Sequence, residues 1–137
     1  MSDKLIEKLI VRGIPVYRFY KNTRDAVDQY LTIISADTDT HIEAGNVDKP
    51  MTYVLDISQS GMYSLNYMRT RAATLIKQKE KLPENYIAYV TDKPNDAILV
   101  NMLNALATHD LESTRKIFKT EELDQAIDWL LAIQDGI

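Results

Sequence analysis

Five polar residues stand where they could do chemistry. Asp56 falls within the apolar run Met51–Ile57, Ser58, Ser60 and Ser64 follow that run, and Asp92 follows the run Tyr86–Val90. An aspartate at the end of a strand covered on both faces could hold a cation or a partner group at the sheet edge where α/β folds collect ligands. The same carboxylate could instead accept backbone N–H groups of the next turn. Serines at a helix start meet free N–H donors and the positive end of the helix dipole, which suits an anion or an added phosphate. Plain N-capping competes with that role and is the commoner use of such residues.

Most covalent and metal chemistries are excluded. The chain has no cysteine, which removes disulfides, thiolate zinc sites and thiol nucleophiles and agrees with a reducing compartment. His41 and His109 are too few and too separated for a His-based metal site, and His109-Asp110 is expected to end a helix. Ser58-Gln59-Ser60-Gly61 is not the tight glycine elbow of a hydrolase nucleophile. No glycine-rich fingerprint follows any strand, so dinucleotide and P-loop sites are excluded. What remains is binding without catalysis, and no cofactor is implied.

These residues must be held by alternating strands and helices. Ile14–Tyr20 alternates and is rich in β formers, so it reads as a strand; Leu5–Val11 is either its hairpin partner across Arg12-Gly13 or a short amphipathic helix, with the glycine favouring the hairpin. Asn22 reads as an N-cap with Asp25 as its capping-box partner, opening a helix to about Ser35 on Ala26, Val27, Tyr30, Leu31 and Ile34. The polar stretch 37–50, with Asp37, Asp39, Glu43 and Asp48, reads as a solvated loop. Met51–Ile57 has the near-continuous apolar character of a strand buried on both faces.

A helix over Ser60–Lys81 follows, with Leu65, Met68, Ala72, Leu75 and Ile76 on one stripe and Pro83 closing it. The cations Arg69, Arg71, Lys77, Lys79 and Lys81 read as its solvated face. Tyr86–Val90 is the next strand, and Asn95 or Asp96 starts a helix whose Ile98, Leu99, Met102, Leu103 and Leu106 should face inward. Thr114–Phe118 is the last strand, and Thr120 caps a final helix buried through Leu123, Ala126, Ile127, Leu130 and Leu131. Trp129 lies just off that stripe, at the edge of the core. The order predicts a single α/β domain with a four- to five-stranded mixed, largely parallel sheet.

Composition narrows the partners. A formal net charge of -4 disfavours nucleic acid, which asks for a basic face, and no apolar run is long enough to span a bilayer. The N-terminus has no apolar h-region, so no signal peptide is expected and the cytoplasm is the default location. Eight tyrosines against two phenylalanines suit either half-polar interfaces or a core with polar tips; core packing is the expectation.

Three segments resemble the STAS superfamily, in its SpoIIAA-like branch. Thr52-Tyr53-Val54-Leu55-Asp56-Ile57 is similar to the aspartate-terminated strand before the family's signature turn. Ile87-Ala88-Tyr89-Val90-Thr91-Asp92 stands where its next strand belongs, and Phe118-Lys119-Thr120-Glu121-Glu122 with Ala126-Ile127-Asp128-Trp129-Leu130 resembles the branch's ending. The resemblance implies a small non-enzymatic domain, helices mainly on one side of its sheet, that binds a protein partner or senses a ligand. In anti-sigma-factor antagonists a serine in an Asp-Ser-Ser-Gly pattern is phosphorylated by a partner kinase. Here the stretch is Asp56-Ile57-Ser58-Gln59-Ser60-Gly61, which departs from that pattern. Asp56, Thr91, Asp92, Lys93 and Lys119-Thr120 also bring a receiver domain to mind, but Tyr20-Lys21-Asn22 offers no acidic pair for Mg²⁺.

The sequence therefore leads to a regulatory interaction module whose partner is a kinase-like or other regulator. Its surface is expected near Asp56, Ser58, Ser60, Ser64 and Asp92, and homodimerisation through an edge strand fits the pattern. The runner-up is a carrier of a small apolar, lipid-like ligand between helices and sheet.

Overall fold

The computed structural model describes residues 4–77, 81–105 and 113–136. Five strands lie in the order of the chain: β1 (Ile6–Val11), β2 (Ile14–Phe19), β3 (Met51–Asp56), β4 (Asn85–Val90) and β5 (Ser113–Phe118). β1 and β2 are antiparallel, with Val11 opposite Ile14, and every later pair is parallel. The hairpin turns on Arg12 and Gly13, both at positive φ (52° and 82°), the conformation a two-residue turn between right-twisted strands requires. The strand reading of residues 5–11 holds.

Four helices join the sheet: α1 (Arg24–Glu43), α2 (Leu65–Ile76), α3 (Pro94–Ala105) and α4 (Leu123–Gln134). Each step from β2 to β5 advances the same way across the sheet, so right-handed crossovers carry α1, α2 and α3 over one face. That face buries Tyr17, Phe19, Tyr53, Leu55, Ile87 and Tyr89 beneath α1, α2 and Val100 of α3. α4 covers the opposite face, packing Ala126, Ile127 and Leu130 on Val16, Val54, Ala88 and Val90. β3 is buried at all six positions, in keeping with its near-continuous apolar run. Trp129 sits at the margin of the α4 layer, 6.0 Å from the Phe118 ring and 6.2 Å from Tyr86. Among the described residues no helix is long and apolar enough to cross a membrane.

Several expectations are corrected. α1 begins after Thr23, whose side chain accepts the Ala26 N–H, and not after Asn22. It runs on to Glu43 through the stretch read as a loop. There Thr38 and Thr40 donate their hydroxyls to the carbonyls of Ile34 and Ala36, and Asp37 is tied to the sheet by the Tyr17 hydroxyl and, at 2.8 Å, by Lys8. These polar residues prolong the helix through contacts that apolar periodicity does not register. α2 starts at Leu65 behind a Ser64 cap and not at Ser60, because Gly61 at φ 75° breaks the helical path.

α3 is rotated from its expected phase: Ile98 and Met102 are 57% and 50% exposed, while Val100 is fully buried. Asp96 sets that phase. Its carboxylate is pulled inward by two hydrogen bonds, and Val100, four residues on, shares its face. The roles expected of Lys79, Leu106, His109 and Asp110 lie outside the described residues, as do the side chains of Ile76 and Leu103.

Candidate functional site

The five residues singled out from the sequence do gather along the C-terminal ends of β3 and β4, where each makes hydrogen bonds within the fold. Asp56 Oδ1 accepts the Ser58 N–H at 3.0 Å and the Ser58 hydroxyl at 2.6 Å. Its Oδ2 accepts Arg18 Nε at 3.0 Å from the neighbouring strand. Ser60 donates to the Gly61 carbonyl at 2.7 Å, and Ser64 Oγ accepts the Tyr67 N–H as the cap of α2. Asp92 accepts the Thr120 N–H at 3.0 Å and its hydroxyl at 2.7 Å. The backbone bond and then the hydroxyl bond hold this carboxyl below the usual aspartate range. Asp92 thus serves the turn before α4 in the role expected of Thr120, and Glu122 adds a second bond by accepting the Lys119 N–H.

A sixth residue, Asp96, locks this edge together and was read only as a helix start. It is 6% exposed, accepts the Thr91 hydroxyl at 2.9 Å and accepts the Met62 N–H at 3.2 Å. It thereby ties the turn after β3 to the turn after β4. Lys93 lies over Gly61, where an added Cβ would stand 3.1 Å from its Nζ. An acidic residue just inside a helix start is common enough that only three-dimensional proximity to Met62 could have revealed this function. Among the described residues no group of His, Asp or Glu could hold a metal ion.

The room for a ligand lies elsewhere. An open cavity of about 180 Å³ lies between α1, α2 and the facing side of β3, β4 and β5, and reaches the N-terminal ends of β4 and β5 at Asn85 and Ser113. Strand register builds its floor in rows: Asn85 beside Ser113; then Tyr53, Ile87 and Arg115; then Leu55 beside Tyr89. Leu31 and Ile34 of α1 and Leu65, Met68, Ala72 and Leu75 of α2 form the apolar walls. The volume exceeds the roughly 150 Å³ of an apolar cavity known to accept benzene.

Polar groups converge on this apolar space from the buried aromatic layer. The Tyr63 and Tyr89 hydroxyls stand 2.9 Å apart, and Tyr30 donates to Tyr53 at 3.5 Å. Burial raises the hydroxyls of Tyr30 and Tyr63 well above the ordinary range and pushes Tyr53 up to about 12, so all three remain neutral O–H groups at physiological pH. The positive charge of Arg115 acts on Tyr53 and Tyr63 in the opposite sense. Tyr17 anchors the rim of the layer by edge contacts to Tyr30 and Tyr53 with centroids 5.7 and 5.5 Å away. Tyr30, Tyr53, Tyr63 and Tyr89 are therefore core residues that also line the cavity.

Comparison with known proteins adds no assignment: no family model, no curated protein and no solved structure matches the chain.

Proposed function

We propose that this protein is a non-enzymatic binding domain that takes a small, largely apolar ligand between α1, α2 and the sheet. The observation that carries this reading is the cavity of about 180 Å³ with Leu, Ile and Met walls and a cluster of buried tyrosyl hydroxyls. An apolar recess with a few convergent polar groups is the usual form of a small-molecule site. The Asp56 and Asp92 edge supports it less, because the carboxylates and serines there are engaged in holding turns.

Unfolding in the presence of toluene, a neutral probe of matching size, tests the reading. Toluene should raise the thermal midpoint of the wild-type chain, because a ligand that binds only the native state stabilises it. An Ala72→Trp variant, whose indole fills the cavity, should keep the native circular dichroism and lose the response. A folded wild-type protein indifferent to toluene would count against it.

A regulatory interaction module of the STAS, SpoIIAA-like type is the second reading. Two observations favour it: the mixed sheet carries three crossover helices on one face, in keeping with the helices mainly on one side that the resemblance implies, and α3 exposes Ile98 and Met102 one turn apart. The partner would be a kinase-like or other protein regulator, or a second copy of the chain. Ile98→Asp with Met102→Asp should then abolish association in solution and leave toluene binding intact; unchanged association would argue against it.

A further inference from the structure

Resting on the cavity reading, we infer that the ligand is an uncharged, largely apolar molecule whose carbonyl oxygen accepts hydrogen bonds from the tyrosyl hydroxyls of the buried layer. Tyr30, Tyr53, Tyr63 and Tyr89 all line the cavity, and each is at most 5% exposed. Their hydroxyls form two pairs, Tyr30 with Tyr53 at 3.5 Å and Tyr63 with Tyr89 at 2.9 Å. A pair of hydroxyls holds two hydrogens, and the bond inside the pair uses one. The other hydrogen of each pair, which is that of Tyr53 in the first, has no acceptor among the described residues.

A buried donor without an acceptor costs more than an oxygen with a spare lone pair, so these pairs ask for an acceptor. Tyr53 lies on β3 opposite Ile87, and Tyr89 lies two residues beyond Ile87 on β4. The two therefore rise from one face of adjacent strands at diagonal positions. Side chains stand roughly upright on a sheet, which carries both hydroxyls off the floor toward the level of α1 and α2. A carbonyl oxygen has two lone pairs and can accept one hydrogen from each pair. Charge is not called for. Burial keeps the hydroxyls of Tyr30, Tyr53 and Tyr63 neutral at physiological pH, and Arg115 on the floor already has interactions of its own within the protein. A carboxylate among the Leu, Ile and Met walls would exchange its hydration for neutral partners, and a carbonyl gives up far less on entry.

Dissociation constants of the full chain for acetophenone, ethylbenzene and benzoate, three compounds built on one phenyl ring, test the assignment. Transfer out of water alone ranks ethylbenzene above acetophenone, because the carbonyl gives up bonds to water. The hydroxyls should offset that loss, so acetophenone should bind at least as tightly as ethylbenzene, with benzoate weakest. Tyr30→Phe with Tyr53→Phe, and separately Tyr63→Phe with Tyr89→Phe, removes a pair whole and strands no hydroxyl, which preserves the fold. Each double variant should lower acetophenone affinity about three- to tenfold, the weight of one neutral hydrogen bond, and leave ethylbenzene unchanged. Should a double variant fail to fold, the ranking in the wild-type protein decides alone. Ethylbenzene binding more tightly than acetophenone, benzoate binding most tightly, or acetophenone affinity unchanged in both double variants would overturn the inference and leave the cavity reading in place. Acetophenone failing to bind a preparation that responds to toluene would overturn the carbonyl assignment alone, and failure of both probes would overturn the cavity reading with it.

Discussion

Tyr63 and Tyr89 hold their hydroxyl oxygens 2.9 Å apart in a buried layer, joining the approach to α2 with the middle of the parallel sheet. The pair is both a packing element and part of the polar lining of the cavity. Replacing either tyrosine alone by phenylalanine leaves the other hydroxyl buried without its partner. That should cost about 1–2 kcal/mol in chemical denaturation. The double replacement should cost less than the sum of the two, since neither hydroxyl is then stranded. Strict additivity would show that the two groups do not interact.

The tyrosine layer also predicts an alkaline limit. Tyr17, Tyr30, Tyr53 and Tyr63 all have hydroxyls raised by burial, Tyr53 to about 12 from an ordinary 10.0. A raised folded-state value for an acid means stability that is complete below the unfolded value and lost as pH climbs through the folded one. For Tyr53 alone the loss between about pH 10 and 12 amounts to roughly 3 kcal/mol. Ultraviolet titration should therefore show these four of the eight tyrosines silent until the protein unfolds in one step. Eight tyrosines ionising together near their ordinary value in a folded chain would contradict the packing.

Asp56 is bonded to Ser58 through one oxygen and to Arg18 through the other. Asp56→Ala should destabilise by about 2 kcal/mol, since it strands a half-buried guanidinium and frees the turn. Asp56→Asn keeps an acceptor for the turn and should cost less. Acetyl phosphate should leave Asp56 unmodified, and mass spectrometry showing stoichiometric labelling would give this residue the phosphoacceptor role that its bonding argues against.

Asp92 gives a prediction at the acid end. Its carboxyl is held below the usual range by the Thr120 N–H and hydroxyl, so the contribution is complete above the ordinary aspartate value of about 3.9 and lost as pH falls below it. Wild type and Asp92→Asn should differ in thermal midpoint at neutral pH and converge in acid. A difference that persists undiminished at the lowest pH where both fold would mean the cap does not depend on charge.

Much of this architecture was legible from residue patterns. The near-continuous apolar run Met51–Ile57 marked a strand covered on both faces, and Gly13 favoured the hairpin. The C-terminal half of α1 was not legible, because Asp37, Thr38 and Thr40 are sustained by i−4 hydroxyl bonds and by Tyr17 and Lys8 on other elements. The phase of α3 was hidden for a related reason: Asp96 is drawn inward by Met62 and Thr91, and the apolar Ile98 and Met102 turn outward with the rotation. Position along the chain correctly led to the turns after β3 and β4, yet those side chains cap turns. The cavity is assembled from residues on five elements, and alternation in β5 gave no sign that Arg115 would share a sheet row with Ile87 and Tyr53.

The account's central claim, that the space between α1, α2 and the sheet is a ligand site, is tested most directly by methyl nuclear magnetic resonance during titration with acetophenone. Shifts should concentrate in Leu31, Ile34, Leu75 and Ile87, which line the cavity, and spare Ile127 and Leu130 on the buried face of α4. Saturating shifts confined to the α4 face, or none at all in the cavity-lining methyls of the folded protein, would contradict it.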